Sequence, residues 1–261
     1  MIRNASLLKL LKELKVSYGA LSARCEFEDE GASFQEAVCL GRLAVRAGLG
    51  IVVKIGGCEA VTDMRQALAM GAGTIIAPMV ETPYALSKFL KAAGRVLYGV
   101  RKKPELFVNI ETRVSIDNFP AMLRLREIKA LTGITIGRCD LVESMGWTKD
   151  RVNDPEIARQ VVSVCRLAHA SGLKCSLGGG IGDRSIDFLR RLPPGTLDYF
   201  ETRKTVFAAP HEFYEGCGSA VLKATEFELR WLELCQEKGT GLASDSLRIR
   251  MLEKRLSRHM A

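Results

Sequence analysis

Short runs of branched apolar residues alternate with longer amphipathic stretches along most of the chain. The runs fall at residues 18–27, 50–55, 73–80, 106–110, 133–137, 173–177 and 197–200. Runs of about five such residues suit strands buried on both faces, as in a parallel sheet covered by helices. Between them, helical spacing occupies residues 5–15, 33–47, 59–69, 83–93, 115–131, 155–172 and 185–192. Gly48, Gly50 and Gly71 close two of these helices, Asp154-Pro155 opens another, and Pro120 is placed in the first turn of its helix.

The alternation predicts an α/β chain folded as a TIM (β/α)8 barrel. Seven strands are evident. The eighth is either the run from Arg95 to Val100, which leads into the basic triplet Arg101-Lys102-Lys103, or a strand that this pattern does not reveal. Residues 1–210 are read as the barrel with an N-terminal covering helix. Residues 211–261 are read as a C-terminal helical extension packed on the barrel or on a neighbouring subunit. Its apolar positions are Phe227, Leu229, Trp231, Leu232 and Leu234, and a basic amphipathic tail follows over residues 244–259.

Two of the runs carry a carboxylate directly after them, Glu111 and Asp140. On parallel neighbouring strands joined by one helix they project from the same rim, near enough to share a hard divalent cation, magnesium or manganese. Residues 141–147 are read as a rim loop. Other chemistry falls at the same end of other strands. Lys54 precedes Gly56-Gly57, Glu81 follows residues 73–80, and the acids Glu26, Glu28, Asp29 and Glu30 follow the first run. The loop Gly178-Gly179-Gly180-Ile181-Gly182 precedes a helix, and Arg203 and Lys204 stand beyond the last run. Lys54, Glu28 and Glu81 are the candidates for catalysis. Gly179, in a loop that can present backbone amides to an anion, and Arg138 and Arg203, as cations, are candidates for substrate binding. His169 lies on a covering helix and is read as structural.

Composition changes this picture little. The chain has 261 residues, 47% of them hydrophobic, enough for one full-size barrel. A formal charge of +8 favours anionic ligands without separating metabolite from nucleic acid. The 8 cysteines form no CxxC pair, which suits reduced thiols packed as small hydrophobes. The lysines near the N-terminus interrupt any signal-peptide core, and no run approaches the ~18 apolar residues of a membrane span. A cytoplasmic protein without membrane or nucleic-acid partners is the expectation.

The order of the motifs Ile51-Val52-Val53-Lys54-Ile55-Gly56-Gly57, residues 73–82, residues 106–112 and residues 134–146 resembles the HpcH/HpaI aldolase and citrate lyase beta-subunit family. The most specific parts are Glu111-Thr112 and the spacing of Gly137, Asp140, Leu141, Ser144 and Gly146. The resemblance implies a metal-dependent barrel of the phosphoenolpyruvate/pyruvate type, with Glu111 and Asp140 as metal ligands. It also implies that the backbone of Gly137, Arg138, Cys139 and Asp140 holds a substrate carboxylate, and that copies associate into a homo-oligomer. Two departures stand out. Lys54 replaces the family's usual arginine, and an aspartate follows Glu26-Phe27-Glu28 where aldolase members carry histidine. The expected function is a carbon-carbon lyase of aldolase type acting on a small anionic 2-oxo acid. The alternatives are a citrate-lyase-like acyl-CoA lyase or thioesterase, and a non-catalytic barrel that retains the metal pocket.

Overall fold

The computed structural model describes residues 2–28, 30–209 and 217–258. Eight strands close into one barrel in chain order: β1 Ala20–Glu26, β2 Gly50–Lys54, β3 Thr74–Ala77, β4 Glu105–Ile110, β5 Gly133–Gly137, β6 Lys174–Gly178, β7 Tyr199–Glu201 and β8 Thr205–Ala208. The first seven run parallel. β8 runs antiparallel to both β7 and β1 and closes the cylinder.

This answers the question of the eighth strand. Val96 ends the helix α4, Pro83–Val96, and Leu97 caps it, so the apolar run there continues the buried stripe of Leu86, Phe89, Leu90 and Ala93. Gly99, at φ 74°, turns the chain. The true closing strand is a four-residue segment behind Arg203-Lys204. It pairs Phe207 with Phe200, and their rings stack at 5.0 Å.

Each strand sends alternate side chains to opposite faces. The outward set includes Val53, Ile75, Val108, Ile134, Leu177, Phe200 and Phe207, all buried under the helices. Inside the barrel, Val52, Ile76, Phe107 and Val206 form a separate apolar patch with Tyr199 against it. Around and above that patch the interior positions are polar or glycine: Arg24, Glu26, Lys54, Asn109, Thr135, Gly137, Ser176, Gly178 and Glu201. The barrel therefore carries its charge inside its C-terminal end.

The covering helices are α1 Ile2–Tyr18, α2 Phe34–Ala47, α3 Val61–Ala69, α4, α5 Arg113–Met122, α6 Arg138–Ser144, α7 Pro155–Ala170 and α8 Ile186–Arg191. Their starts follow local capping chemistry. Ser33 forms a capping box with Glu36, and Thr82, Thr112 and Asp154 each accept a backbone N–H of the following turn. Two expectations are corrected. Pro120 lies deep in α5, near its C-terminal end at Met122, where it forgoes the hydrogen bond to the carbonyl one turn earlier. The expected rim loop over 141–147 is largely the end of α6, so Asp140 belongs to a helical first turn.

Beyond β8, α9 Cys217–Glu237 packs on α1 and on α10 Asp245–Ser257. Glu228 accepts two hydrogen bonds from Arg248, at 2.7 and 3.0 Å, joining α9 to α10. Residues 210–216, including His211, where the C-terminal helical pattern begins, lie outside the described residues.

Because Phe207 is fully buried and stacks on β7, Phe207→Ala is expected to cost about 3–5 kcal/mol, measured as a lowered urea midpoint.

Candidate active site

Glu111 emerges directly from β4, and Asp140 stands in the first turn of α6 directly after β5. Glu111 is held on both oxygens. Met79 N–H donates to Oε1 at 2.8 Å, and Asn109 Nδ2 donates to Oε2 at 2.8 Å. Met79 itself adopts φ 52°, alone in positive φ among the described non-glycine residues, and that backbone aims its N–H at the carboxylate. Gly137 makes room for Glu111, since a Cβ there would stand 2.6 Å from Oε2. Burial, aided by Asp140, raises the Glu111 pKa against the pull of Lys54 and the Met79 N–H.

The donors fit a hard divalent ion. Both are carboxylates, the set is small enough to leave positions for water and substrate, and Asn109 adds a buried Oδ1 with no hydrogen-bond partner beside Glu111.

Lys54 ends β2 and contacts Glu26 Oε1 at 2.5 Å. Burial works against its charge, yet Glu26 and Glu111 raise its pKa, so Lys54 is a fixed cation and not a neutral base. Glu26 is pulled the other way: Arg24 and Lys54 outweigh burial and hold it below the usual carboxylate value. Arg24 reaches Glu26 at 3.2 Å, Glu201 at 3.3 Å and Glu30 at 3.7 Å. Glu30 also receives Arg203 at 3.0 Å and Lys204 at 2.5 Å.

The other candidates divide. Glu81 accepts a hydrogen bond from Thr112 Oγ1 at 2.7 Å, which ties it to the cap beside Glu111. Glu28 is exposed and lies against Gly56, where a Cβ would meet its carboxyl at 2.5 Å. Asp29 lies outside the described residues. The Arg138 side chain is a correction. It is fully buried and makes five hydrogen bonds to neutral acceptors, the carbonyls of Val152, Gly178 and Gly179 and the side chains of Asn153 and Ser185, so its guanidinium is not offered to a substrate. Phe188 covers it from one side. Its effect is to fasten the glycine loop to α6. Gly179, at φ 74°, takes part directly, because a Cβ there would collide with the backbone nitrogens of Arg138 and Cys139 at 2.4 and 2.6 Å. Cys139 is half-buried at the start of α6, and burial raises its thiol pKa.

Sequence reasoning passed over Arg24 and Glu201. The signal for Arg24 was present, since Arg24 and Glu26 are charged residues at period two inside a strand. At the opposite, N-terminal end of the barrel, His169 Nε2 lies 2.9 Å from Asp198 Oδ2, which also accepts the Cys175 N–H at 2.7 Å. Ligand atoms of His169, Cys175 and Asp198 fall within 4.8 Å of one another, away from the Glu111 rim.

A family model described as HpcH/HpaI aldolase/citrate lyase matches residues 42–176, a span that includes Lys54, Glu111 and Asp140. The chain belongs to this family. Among HpcH/HpaI relatives, the 2-keto-3-deoxy-L-rhamnonate aldolases of Salmonella paratyphi B and Salmonella typhi are 26% identical over 156 residues, 51% of this chain and 56% of theirs. The chain thus spans about half the length of the curated relatives it matches. Two solved structures share the fold. A family protein from Burkholderia cenocepacia has a TM-score of 0.56 at 16% identity, over 70% of this chain and 79% of that one. A citrate lyase from Burkholderia xenovorans has a TM-score of 0.57 at 15% identity, over 97% and 87%. No helix among the described residues is long and apolar enough to cross a membrane.

The ion pairs inside the barrel make stability depend on pH. Glu26 has its folded pKa below the ordinary 4.5, so its contribution is complete above that value and is lost as pH falls through the lower folded value. Glu26→Gln, which leaves Lys54 and Arg24 short of an anion, is expected to cost about 3 kcal/mol near neutral pH and to flatten the acid limb of a denaturant-midpoint series taken down to about pH 3.

Proposed function

We propose that the protein is a divalent-metal-dependent carbon-carbon lyase of aldolase type acting on a 2-oxo acid. The observation that carries this reading is the pair Glu111 and Asp140 at the ends of adjacent strands, inside the segment that matches the family model. The curated relatives, aldolases of a 2-keto-3-deoxy sugar acid, point to the same substrate class.

In this reading Glu111 and Asp140 hold Mg2+ or Mn2+, which when bound supplies Lewis-acid stabilisation of the enolate charge. The chain's own groups do the rest. Met79 N–H and Asn109 Nδ2 fix the Glu111 carboxylate so that it needs no rearrangement. The backbone of Gly137, Arg138, Cys139 and Asp140, anchored by the buried Arg138 side chain and the Gly179 turn, receives the substrate carboxylate. Lys54 contributes a point charge where an arginine would form a fork, which suits a single-oxygen contact. Arg203 and Lys204 are matched by Glu30 and shape the rim more than they contact the substrate.

Glu111→Gln and Asp140→Asn are each expected to abolish tight Mn2+ binding and metal-dependent release of pyruvate from 2-keto-3-deoxy sugar acids, with the fold retained by circular dichroism. Unchanged metal affinity and turnover in both variants would end this reading. Asn109→Ala removes the hydrogen bond to Glu111 together with the free Oδ1 beside it, and is expected to weaken Mn2+ affinity by about 10–100-fold in a calorimetric titration.

A further inference from the structure

Gly137 and Gly178 are register partners on β5 and β6. Each leaves a gap on the inner wall of the barrel, and each gap is filled by a carboxylate from the strand beyond it. A Cβ on Gly137 would stand 2.6 Å from Glu111 Oε2, and one on Gly178 would stand 3.0 Å from Glu201 Oε1. Glu111 from β4 and Glu201 from β7 therefore lie over neighbouring glycines, with the floor between them one strand spacing, about 5 Å, wide. Lys54 acts electrostatically on both. The metal pair makes no use of Glu201, although it points into the same end of the barrel.

Below Glu201 the barrel interior holds a cavity of about 100 Å³, bordered by the apolar patch of Val52, Ile76, Phe107 and Val206 and lined also by Thr135, Ser176 and, toward the N-terminal mouth, Ser22 and Glu105. Thr135 Oγ1 and Ser176 Oγ are buried and have no hydrogen-bond partner among the described residues. The two residues are 1% and 3% exposed. Polar atoms left unmatched in a space large enough for several molecules mark water positions. Glu201 thus stands between the metal rim and an interior water site.

We propose that Glu201 is the proton-transfer residue of this site and exchanges its proton with water in the interior cavity. The proposal rests on the enolate chemistry proposed above. In the cleavage direction the substrate hydroxyl gives its proton to water as the C–C bond breaks, the Glu201 O–H bond breaks as a C–H bond forms at the enolate carbon, and the resulting carboxylate is reprotonated by the hydronium so formed through the cavity water, so that no proton is gained or lost overall. In the reverse direction the C–H bond breaks, the proton passes to Glu201 and the electron pair stays in the enolate. The charged groups facing Glu201 are Arg24 and Glu26 on β1, Glu30 beyond it and Lys54 on β2. Arg24 Nε lies 3.3 Å from Oε1 as an ion pair without a hydrogen bond between them. Burial outweighs Arg24 and Lys54 and raises the Glu201 pKa, in the sense a proton donor requires.

The test follows pyruvate methyl protons by NMR in D2O with the Mg2+-loaded full chain. Wild type is expected to exchange them, with a pH profile that contains a raised carboxyl. Glu201→Gln is expected to slow exchange by about 10²–10⁴-fold and to remove that limb, while Mg2+ and oxalate still bind with wild-type affinity. Glu201→Asp is expected to restore part of the rate with a displaced limb. It also serves where the glutamine variant does not fold, since it keeps a carboxylate for Arg24. Full exchange with an unchanged profile in either variant overturns the role of Glu201 and leaves the aldolase reading standing. Wild type that shows no exchange overturns both. Thr135→Val combined with Ser176→Val is expected to slow exchange several-fold, and an unchanged rate overturns the cavity route.

Discussion

A guanidinium inside a barrel has to be matched by anions, and Arg24 is matched by three. Glu26, Glu30 and Glu201 surround it, and Lys54, Arg203 and Lys204 in turn balance Glu26 and Glu30. Taking such groups out of water costs several kcal/mol per ion, and the cost is recovered only when every partner is in place. The consequence is a rigid interior in which few side chains are free to move. Lys54 can therefore act on a bound anion only as a fixed charge, and Glu26 is committed to holding it. Glu111 and Asp140 stand outside these ion pairs, with Glu111 held by Met79 N–H and Asn109.

The glycines set where those groups can go. Gly137 and Gly178 clear space for Glu111 and Glu201, and Gly179 lets the loop after β6 touch the start of α6. Arg138 is the counterpart of these absences: a long cation buried in neutral carbonyls, with no acid among its hydrogen-bond partners. Its cost is accepted where it locks a loop that borders the site, and burial accordingly lowers its pKa. Rigidity in this region comes from backbone carbonyls held by one side chain and from turns that only glycine adopts readily.

Much of this was legible in the residues. The seven parallel strands and the ends of most helices follow from periodicity and caps, and Glu111 and Asp140 follow from position after their runs. Four matters did not. β8 is four residues long and follows two basic residues, so it lacks the length that makes a strand visible. The stretch at Arg95 looked extended because its apolar residues belong to a helical stripe that had already begun. Arg138 looked like a ligand because sequence places it beside Asp140, but a residue opening a short helix can send its side chain to the far side of that helix. Glu201 required the fold itself, since its neighbour Gly178 and its partner Arg24 are distant in sequence and meet only across the barrel.

The reversed direction of β8 bears on the order in which the molecule is assembled. β7 and β8 form a local hairpin, but the contact between β8 and β1 joins the two ends of the barrel sequence, and Arg24 N–H donates to the Lys204 carbonyl across that junction. The ion pairs of Arg24 with Glu201 and of Glu30 with Lys204 cross the same junction. A nascent chain can form its first six strands, with Glu111 and Asp140 in place, while this junction is still open. Closure is the most non-local pairing in the barrel and pays its loop entropy in one step. The charged interior is therefore completed late, and until β8 docks, Arg24 remains open to water.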